Sequence, residues 1–177
     1  PPLSPGRFYS DWIQTDDKLV DCFPDLLKEA VDNCAKIFSG LSEEDPRQLK
    51  MISRRTNYMI NSWFNNVESL KRGRHRTNPL YLHPDDARAR NIEEGSLVKI
   101  HNKNGHLEVT VSLDDSLKNG VVAMTHGWGN TQSSQLNVAN TYPGVNANDL
   151  LPSGDDAYEK ISNQSFMTGI PVDVDAI

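Results

Sequence analysis

The sequence predicts a mainly β fold with short helices: a small closed or near-closed barrel preceded by one amphipathic helix. Short apolar strands recur between residues 48 and 124, separated by turn residues at Asn91–Gly95, Asn104-Gly105 and Asn119-Gly120. A single short helical segment, His83–Arg90, interrupts them. The one long helical periodicity lies ahead of the strands, over residues 23–38.

The elements follow in chain order. Residues 1–20, rich in Pro and Asp, read as an irregular, extended lead-in. From Phe23 to Phe38, apolar residues recur at Leu26, Leu27, Ala30, Val31, Cys34, Ala35, Ile37 and Phe38. Pro24 suits the first turn and Gly40 stands just past the end, so this helix is expected to pack on a core. The charged run Ser42–Pro46 turns the chain into a strand at 48–53. Tyr81–Leu82 is a short strand. In the helix after it, Pro84 is near the first position, and Asp85 and Asp86 are at the positive end of the dipole. Leu97–His101 and Leu107–Leu113 are strands joined by Asn104-Gly105, a hairpin signal, and Asn119-Gly120 introduces the strand Val121–Met124. After Thr125 the pattern dissolves for about thirty residues. A loop that long is usually functional or disordered, and its aromatic and amide residues favour an ordered, functional one. Asn148-Asp149-Leu150 begins a helical turn, and Ile170–Val174, after the polar segment Ser162–Gly169, is the last strand. No internal repeat is visible. The expected division is a lead-in and helix over 1–46 and the barrel over 47–177.

A chain of 177 residues is expected to form one domain with an appended element. Its net charge of −6 argues against coating nucleic acid through bulk electrostatics. The hydrophobic content of 37% is low for a self-sufficient enzyme and points to surface that contacts something else. The longest apolar run falls far short of the ~20 residues a membrane span needs. No secretory or transit segment is visible, so no membrane span and a cytoplasmic location are expected. The chain opens on Pro1 instead of Met, which suggests a piece of something larger. Cys22 and Cys34 fit neither a CxxC pair nor a metal clip and are expected to be ordinary buried or half-buried thiols. His75, His83, His101, His106 and His126 contain no HxxxH or HExxH pair, so no self-contained metal site is expected.

The stretch richest in chemistry is Leu49–Asn66, LKMISRRTNYMINSWFNN. An apolar strand runs through Ser53 into Arg54 and Arg55, then into a string of amides that includes Trp63 and Phe64. That combination suits a semi-buried site for planar heteroaromatic and phosphate groups. Arg54 and Arg55 could clamp a phosphate bidentately, against the alternative of a surface salt bridge. Asn61, Ser62, Asn146 and Asn148 can each donate and accept, which suits the edge of a fused pyrimidinone such as guanine or pterin. The basic run Lys71-Arg72-Gly73-Arg74-His75-Arg76 reads first as a solvated or domain-contacting loop, since no aromatic residue is interleaved for stacking. His126, in HGWG, could be a base, but no nucleophile or orienting Asp stands in a recognisable arrangement. Gly127 and Gly129 read as positions where the backbone approaches a ligand or strand closely. Asp114, Asp115, Asp155 and Asp156 read as turn or cap residues.

The order of motifs from Leu49 onward resembles the C-terminal, dinucleotide-binding domain of molybdopterin oxidoreductases of the dimethyl sulfoxide reductase type. The matching segments are Met51–Ser62, Asn78–Ala87 (NPLYLHPDDA), Ile92–Ile100, Gly120–Gly129 (GVVAMTHGWG), and Asn146–Leu150 with Met167–Val174. The resemblance covers about seven-tenths of the chain, and its specificity lies in the ordered set. It implies a six-stranded double-psi β-barrel closing over the pterin and guanine parts of bis-molybdopterin guanine dinucleotide with molybdenum or tungsten. Arg55 matches the family's loop arginine, Asn61 and Ser62 the polar pair facing a pterin, and Asn148 the later asparagine. Thr168 lies just before Gly169-Ile170-Pro171. The candidate cofactor-binding set is Ser53, Arg55, Asn61, Ser62, Asn146, Asn148 and Thr168. Two departures stand out: Arg54 replaces the family's frequent Gly, and Asn61 its common His. The iron–sulfur and metal-ligating motifs of the family lie in earlier domains and are absent here. The implied partners are therefore the remaining domains of the same oxidoreductase, and the isolated chain is expected to have no turnover. Two other readings are a non-catalytic β-barrel interaction module and nucleic-acid binding through residues 71–76, the latter disfavoured by the acidic balance.

Overall fold

The computed structural model describes residues 6–131, 133–155 and 157–177, so Pro1 and Asp156 lie outside the described residues. The chain divides into two units, Pro1–Glu44 and Asp45–Ile177.

The first unit departs from expectation in four ways. A short helix, α1 (Phe8–Asp11), stands within the lead-in. The long helix, α2 (Asp25–Ser42), begins one residue after Pro24, which is its N-cap, and runs through Gly40. An interior Gly costs only about 1 kcal/mol against Ala, and the helix continues to Glu43, whose N–H reaches the Ser39 and Gly40 carbonyls. No residue of α2 is buried, and Leu26, Val31, Ile37, Phe38 and Leu41 are exposed. The expected packing on a core is thus not met within this unit, because the four-residue α1 is too short to cover an 18-residue stripe. Cys22 and Cys34 are exposed free thiols, which corrects the expectation of burial.

The second unit is mainly β. Its strands are β1 (Leu49–Ser53), β2 (Leu80–Leu82), β3 (Leu97–His101), β4 (His106–Leu113), β5 (Val121–Met124) and β6 (Ile170–Ala176). Alternate residues point inward, as the period of a strand requires. Leu49 and Met51, Leu80 and Leu82, Val98 and Ile100, Leu107, Val109 and Val111, and Val172 and Val174 fill the core. Each fully buried aliphatic side chain contributes about 1.5–3 kcal/mol. The short helix α3 (Pro84–Ala89) starts as expected, with Pro84 in its first turn. His83 caps it through Nδ1, which accepts from the Asp85 N–H at 3.1 Å.

The strands close into a ring in the order β1-β5-β2-β4-β3-β6. β1 pairs parallel with β5 and β2 parallel with β4; the other pairings are antiparallel. Exchange β1 with β4, β2 with β5 and β3 with β6, and the ring of neighbours maps onto itself, with β2–β5 and β3–β6 each returning to the same pair. The parallel pair β1–β5 then maps onto β4–β2. Two interlocked halves of this kind make the double-psi β-barrel.

Strand direction decides what meets at each mouth of the barrel. The C-terminal ends of β1, β3 and β5 and the N-terminal ends of β2, β4 and β6 open onto one mouth. That mouth gathers the loop after Ser53, Asn78, the β3–β4 turn, the loop after Met124 and residues 167–169.

Candidate functional site

The arginine pair divides at the end of β1. The Arg54 N–H still donates to the Met124 carbonyl at 2.8 Å, continuing the β1–β5 ladder. Its guanidinium lies 4.1 Å from the centre of the Tyr81 ring and pairs with Asp114. Asp114 also accepts from Ser116, and that bond and Arg54 hold its carboxyl down at about 2. Arg54 is therefore the structural member of the pair. Arg55 is exposed, and among the described residues no carboxylate pairs with it.

Arg55 turns instead toward the loop after β5. Its Nη1 lies 3.0 Å from His126 Nε2 and donates to Asn61 Oδ1 at 3.4 Å. Asn61 Oδ1 is 2.9 Å from the same ring nitrogen. On its other side the ring meets Ser53, with Nδ1 2.8 Å from Oγ. Burial, and secondarily the Arg55 charge, push the His126 pKa below the ordinary 6.5.

Two glycines seat this loop. Gly127 has φ +90, and a Cβ there would stand 1.9 Å from the Asn61 carbonyl oxygen. Gly129 has φ +86, and its Cβ would lie 2.5 Å from that of Asn146. The HGWG segment is thus wedged between the Asn61 loop and the Asn146 loop: its glycines do allow a close approach, but to two loops and not to a strand. Asn61 itself has φ +46, a left-handed conformation that Asn tolerates better than most residues.

Beside this network is a shallow cleft of about 10 Å³, open to solvent, whose polar lining is Ser53, His126 and Asn148. Met51, Met124 and Met167 provide much of its apolar wall. Thr168 is exposed beside Met167, and the Gly169 N–H anchors the segment to the Met51 carbonyl at 2.9 Å. Ser62 is exposed next to Asn61, and Trp63 is 82% exposed. Of the seven candidates, Ser53, Arg55, Asn61 and Asn148 are brought together around His126 at this mouth, and Ser62 and Thr168 are exposed on the loops beside it. Asn146 differs: its Oδ1 accepts from the Asn148 N–H at 3.2 Å, and its Nδ2 donates to Asp149 at 2.8 Å. It caps the 3-10 turn Ala147–Leu150, which displays Asn148.

Several important residues lay outside the candidate set. Asn78 is 1% exposed and pins both loops: Nδ2 donates to the Thr125 and Val145 carbonyls at 2.9 Å, and Oδ1 accepts from the Val145 N–H at 2.9 Å. Asn66 Oδ1 accepts from the Val138 and Ala139 N–H groups at the start of α4 (Asn137–Thr141), a helix not expected within the long loop. The basic run is tied to aromatic rings. Lys71 Nζ lies 4.0 Å from the Trp128 ring centre, Arg76 5.3 Å from that of Tyr142, and His75 stacks on Tyr58. Lys71 is only 2% exposed with no hydrogen-bond partner for Nζ among the described residues, and burial lowers its pKa.

A family model for the molydopterin dinucleotide binding domain matches residues 49–166. The chain belongs to that family. As a molydopterin dinucleotide binding domain, it serves to bind the molybdopterin cofactor. Over 49 residues it is 39% identical to the dimethyl sulfoxide/trimethylamine N-oxide reductase of Rhodobacter capsulatus, covering 28% of this chain and 6% of that protein. Over 65 residues it is 35% identical to the trimethylamine-N-oxide reductase of Vibrio vulnificus (strain CMCP6), covering 36% of this chain and 8% of that protein. The matched stretches thus span less than a tenth of those relatives. Acetylene hydratase from Pelobacter acetylenicus shares the fold, with a TM-score of 0.61 at 15% identity over 93% of this chain and 20% of that one. No helix among the described residues is long and apolar enough to cross a membrane.

The donor set at the mouth fits a dinucleotide. A guanidinium without a carboxylate offers a fork to a diphosphate, while exposed carboxamides and hydroxyls offer mixed donors and acceptors to a ring edge. The cleft itself is too small for a heterocycle; the methionines of its wall offer polarizable apolar contact at its rim.

Proposed function

We propose that residues 47–177 form the part of a molybdenum or tungsten oxidoreductase that closes over bis-molybdopterin guanine dinucleotide, the remaining domains of the same enzyme being its partners. The observation that carries this is Arg55, exposed, with no carboxylate partner among the described residues, and held by His126 and Asn61 beside a cleft that Asn148 lines. Arg55 is assigned to a phosphate or pterin oxygen, and Asn61, Ser62 and Asn148 to ring edges. Ser53 and Thr168 complete the polar rim. Asn146 acts one step back, fixing the turn that presents Asn148. When bound, the cofactor would supply two-electron chemistry at its metal; the side chains described here would bind and orient it. The isolated chain is proposed to have no turnover.

The test is Arg55→Ala in the assembled enzyme, read as metal and molybdopterin content per protein. Occupancy should fall while the fold is retained. Unchanged molybdenum or tungsten content would remove Arg55 from the site.

A further inference from the structure

His126 joins three residues that are otherwise separate. Its Nδ1 is 2.8 Å from Ser53 Oγ, and its Nε2 is 3.0 Å from Arg55 Nη1 and 2.9 Å from Asn61 Oδ1. A guanidinium has only donors, so the Arg55 contact calls for a lone pair on Nε2, whereas the 2.9 Å contact with Asn61 Oδ1 calls for a proton there; the charge-assisted bond from Arg55 is the stronger of the two and decides the assignment. The ring proton then sits on Nδ1 and is donated to Ser53 Oγ. This assignment follows from the hydrogen-bond partners. One Arg55 N–H is shared between Nε2 and Asn61 Oδ1, two acceptors placed side by side.

An imidazolium would break this arrangement. It would carry a proton on Nε2, which Asn61 Oδ1 can accept, while Arg55 loses its acceptor on the ring and is left beside a second positive charge. Arg55 is the charged group whose field reaches the ring; Ser53 and Asn61 are neutral, and Arg54 is turned away onto Asp114. Gly127 packs on the Asn61 backbone, so the loop that carries the ring has little room to yield.

We infer that His126 is a positioning residue: as a neutral imidazole oriented by Ser53, it holds the Arg55 guanidinium against Asn61, ready for the diphosphate of a nucleotide. The ligand part of this inference rests on the dinucleotide site proposed above. Protonation of the ring releases Arg55, so the preorganised form prevails above the His126 pKa and is lost as pH falls through it. Removing the support forces Arg55 to be ordered by the ligand itself, which weakens affinity about three- to tenfold.

The experiment is nitrogen NMR on the full chain with labelled histidine, from pH 5 to 8, paired with titration by guanosine diphosphate. The expected neutral form has Nδ1 protonated and Nε2 bare, with a midpoint below 6.5 that rises in Arg55→Gln. His126→Gln, whose amide oxygen can still accept, should keep guanosine diphosphate affinity within about twofold, while His126→Phe should lose about three- to tenfold. A protonated Nε2, or a midpoint unmoved by Arg55→Gln, overturns the inference without any ligand. Equal affinity of the wild type and His126→Phe also overturns it. If guanosine diphosphate does not bind the wild type but the ring behaves as stated, the dinucleotide site fails and the His126–Arg55 coupling stands.

Discussion

Gly127 lies so close to Asn61 that a Cβ built on it would stand 1.9 Å from the Asn61 carbonyl oxygen, at φ +90. Neither the backbone clash nor the left-handed conformation can be relieved by a side-chain rotation. Gly127→Ala should therefore destabilise the barrel by roughly 2–4 kcal/mol. Gly95 is the control: at φ +77 it has nothing within 4 Å, so Gly95→Ala should cost only about 1–2 kcal/mol of backbone strain. Urea denaturation of both variants separates the two effects. Equal losses would mean that the close approach carries no energy of its own.

The buried Asn78 side chain makes three bonds to the loops on either side of the mouth. Asn78→Ala would strand two carbonyls and one N–H, so a loss of about 3–5 kcal/mol is expected. Chemical denaturation reads it directly. A loss under about 1 kcal/mol would mean that water replaces the side chain.

Asp114 should shape the acid limb of stability. Its folded pKa, about 2, lies below the ordinary 3.8 because Ser116 and then Arg54 favour the carboxylate. Its contribution is therefore complete above pH 3.8 and lost as pH falls through about 2. Asp114→Asn should lower stability at pH 7 and flatten the decline across that window. An unchanged acid limb would remove the Arg54–Asp114 pair from the account.

Lys71 poses the opposite case. Burial lowers its pKa from 10.5, so the folded state disfavours the ammonium, and the penalty fades as pH rises through the folded value toward 10.5. Lys71→Met keeps the apolar stem, removes the unpaired charge and forfeits the cation–π contact with Trp128. The net expectation is a gain of about 1 kcal/mol at pH 7 that shrinks toward pH 10.5. Thermal melts at the two pH values test it; destabilisation at pH 7 would show that the contact outweighs the buried charge.

What the sequence made legible was local. The hairpin between β3 and β4 was readable from Asn104-Gly105, but for a different physical reason. Gly105 does not adopt positive φ; a Cβ there would meet the Asp149 carbonyl oxygen at 2.5 Å, and Asn102 Oδ1 supports the turn by accepting from the Asn104 N–H. Ser53, Arg55, Asn61 and Asn148 could be placed on one mouth through the resemblance, yet the residue joining the first three, His126, lies 71 positions from Arg55. No local pattern encodes a contact over that distance. Lys71 was hidden for the same reason: it sits in a basic run, and only the tertiary placement of Trp128 buries it. The twofold relation of the strands leaves no repeat in the sequence because it resides in hydrogen-bond pairing.

The most direct test of the dinucleotide site is backbone NMR of the full chain titrated with guanosine diphosphate. Shifts concentrated at Ser53, Arg55, Asn61, His126 and Asn148, and absent in Arg55→Ala, are expected. Shifts confined to the opposite mouth at Arg47, Arg90 and Gly120, or to residues 71–76, or none at millimolar nucleotide, would contradict it.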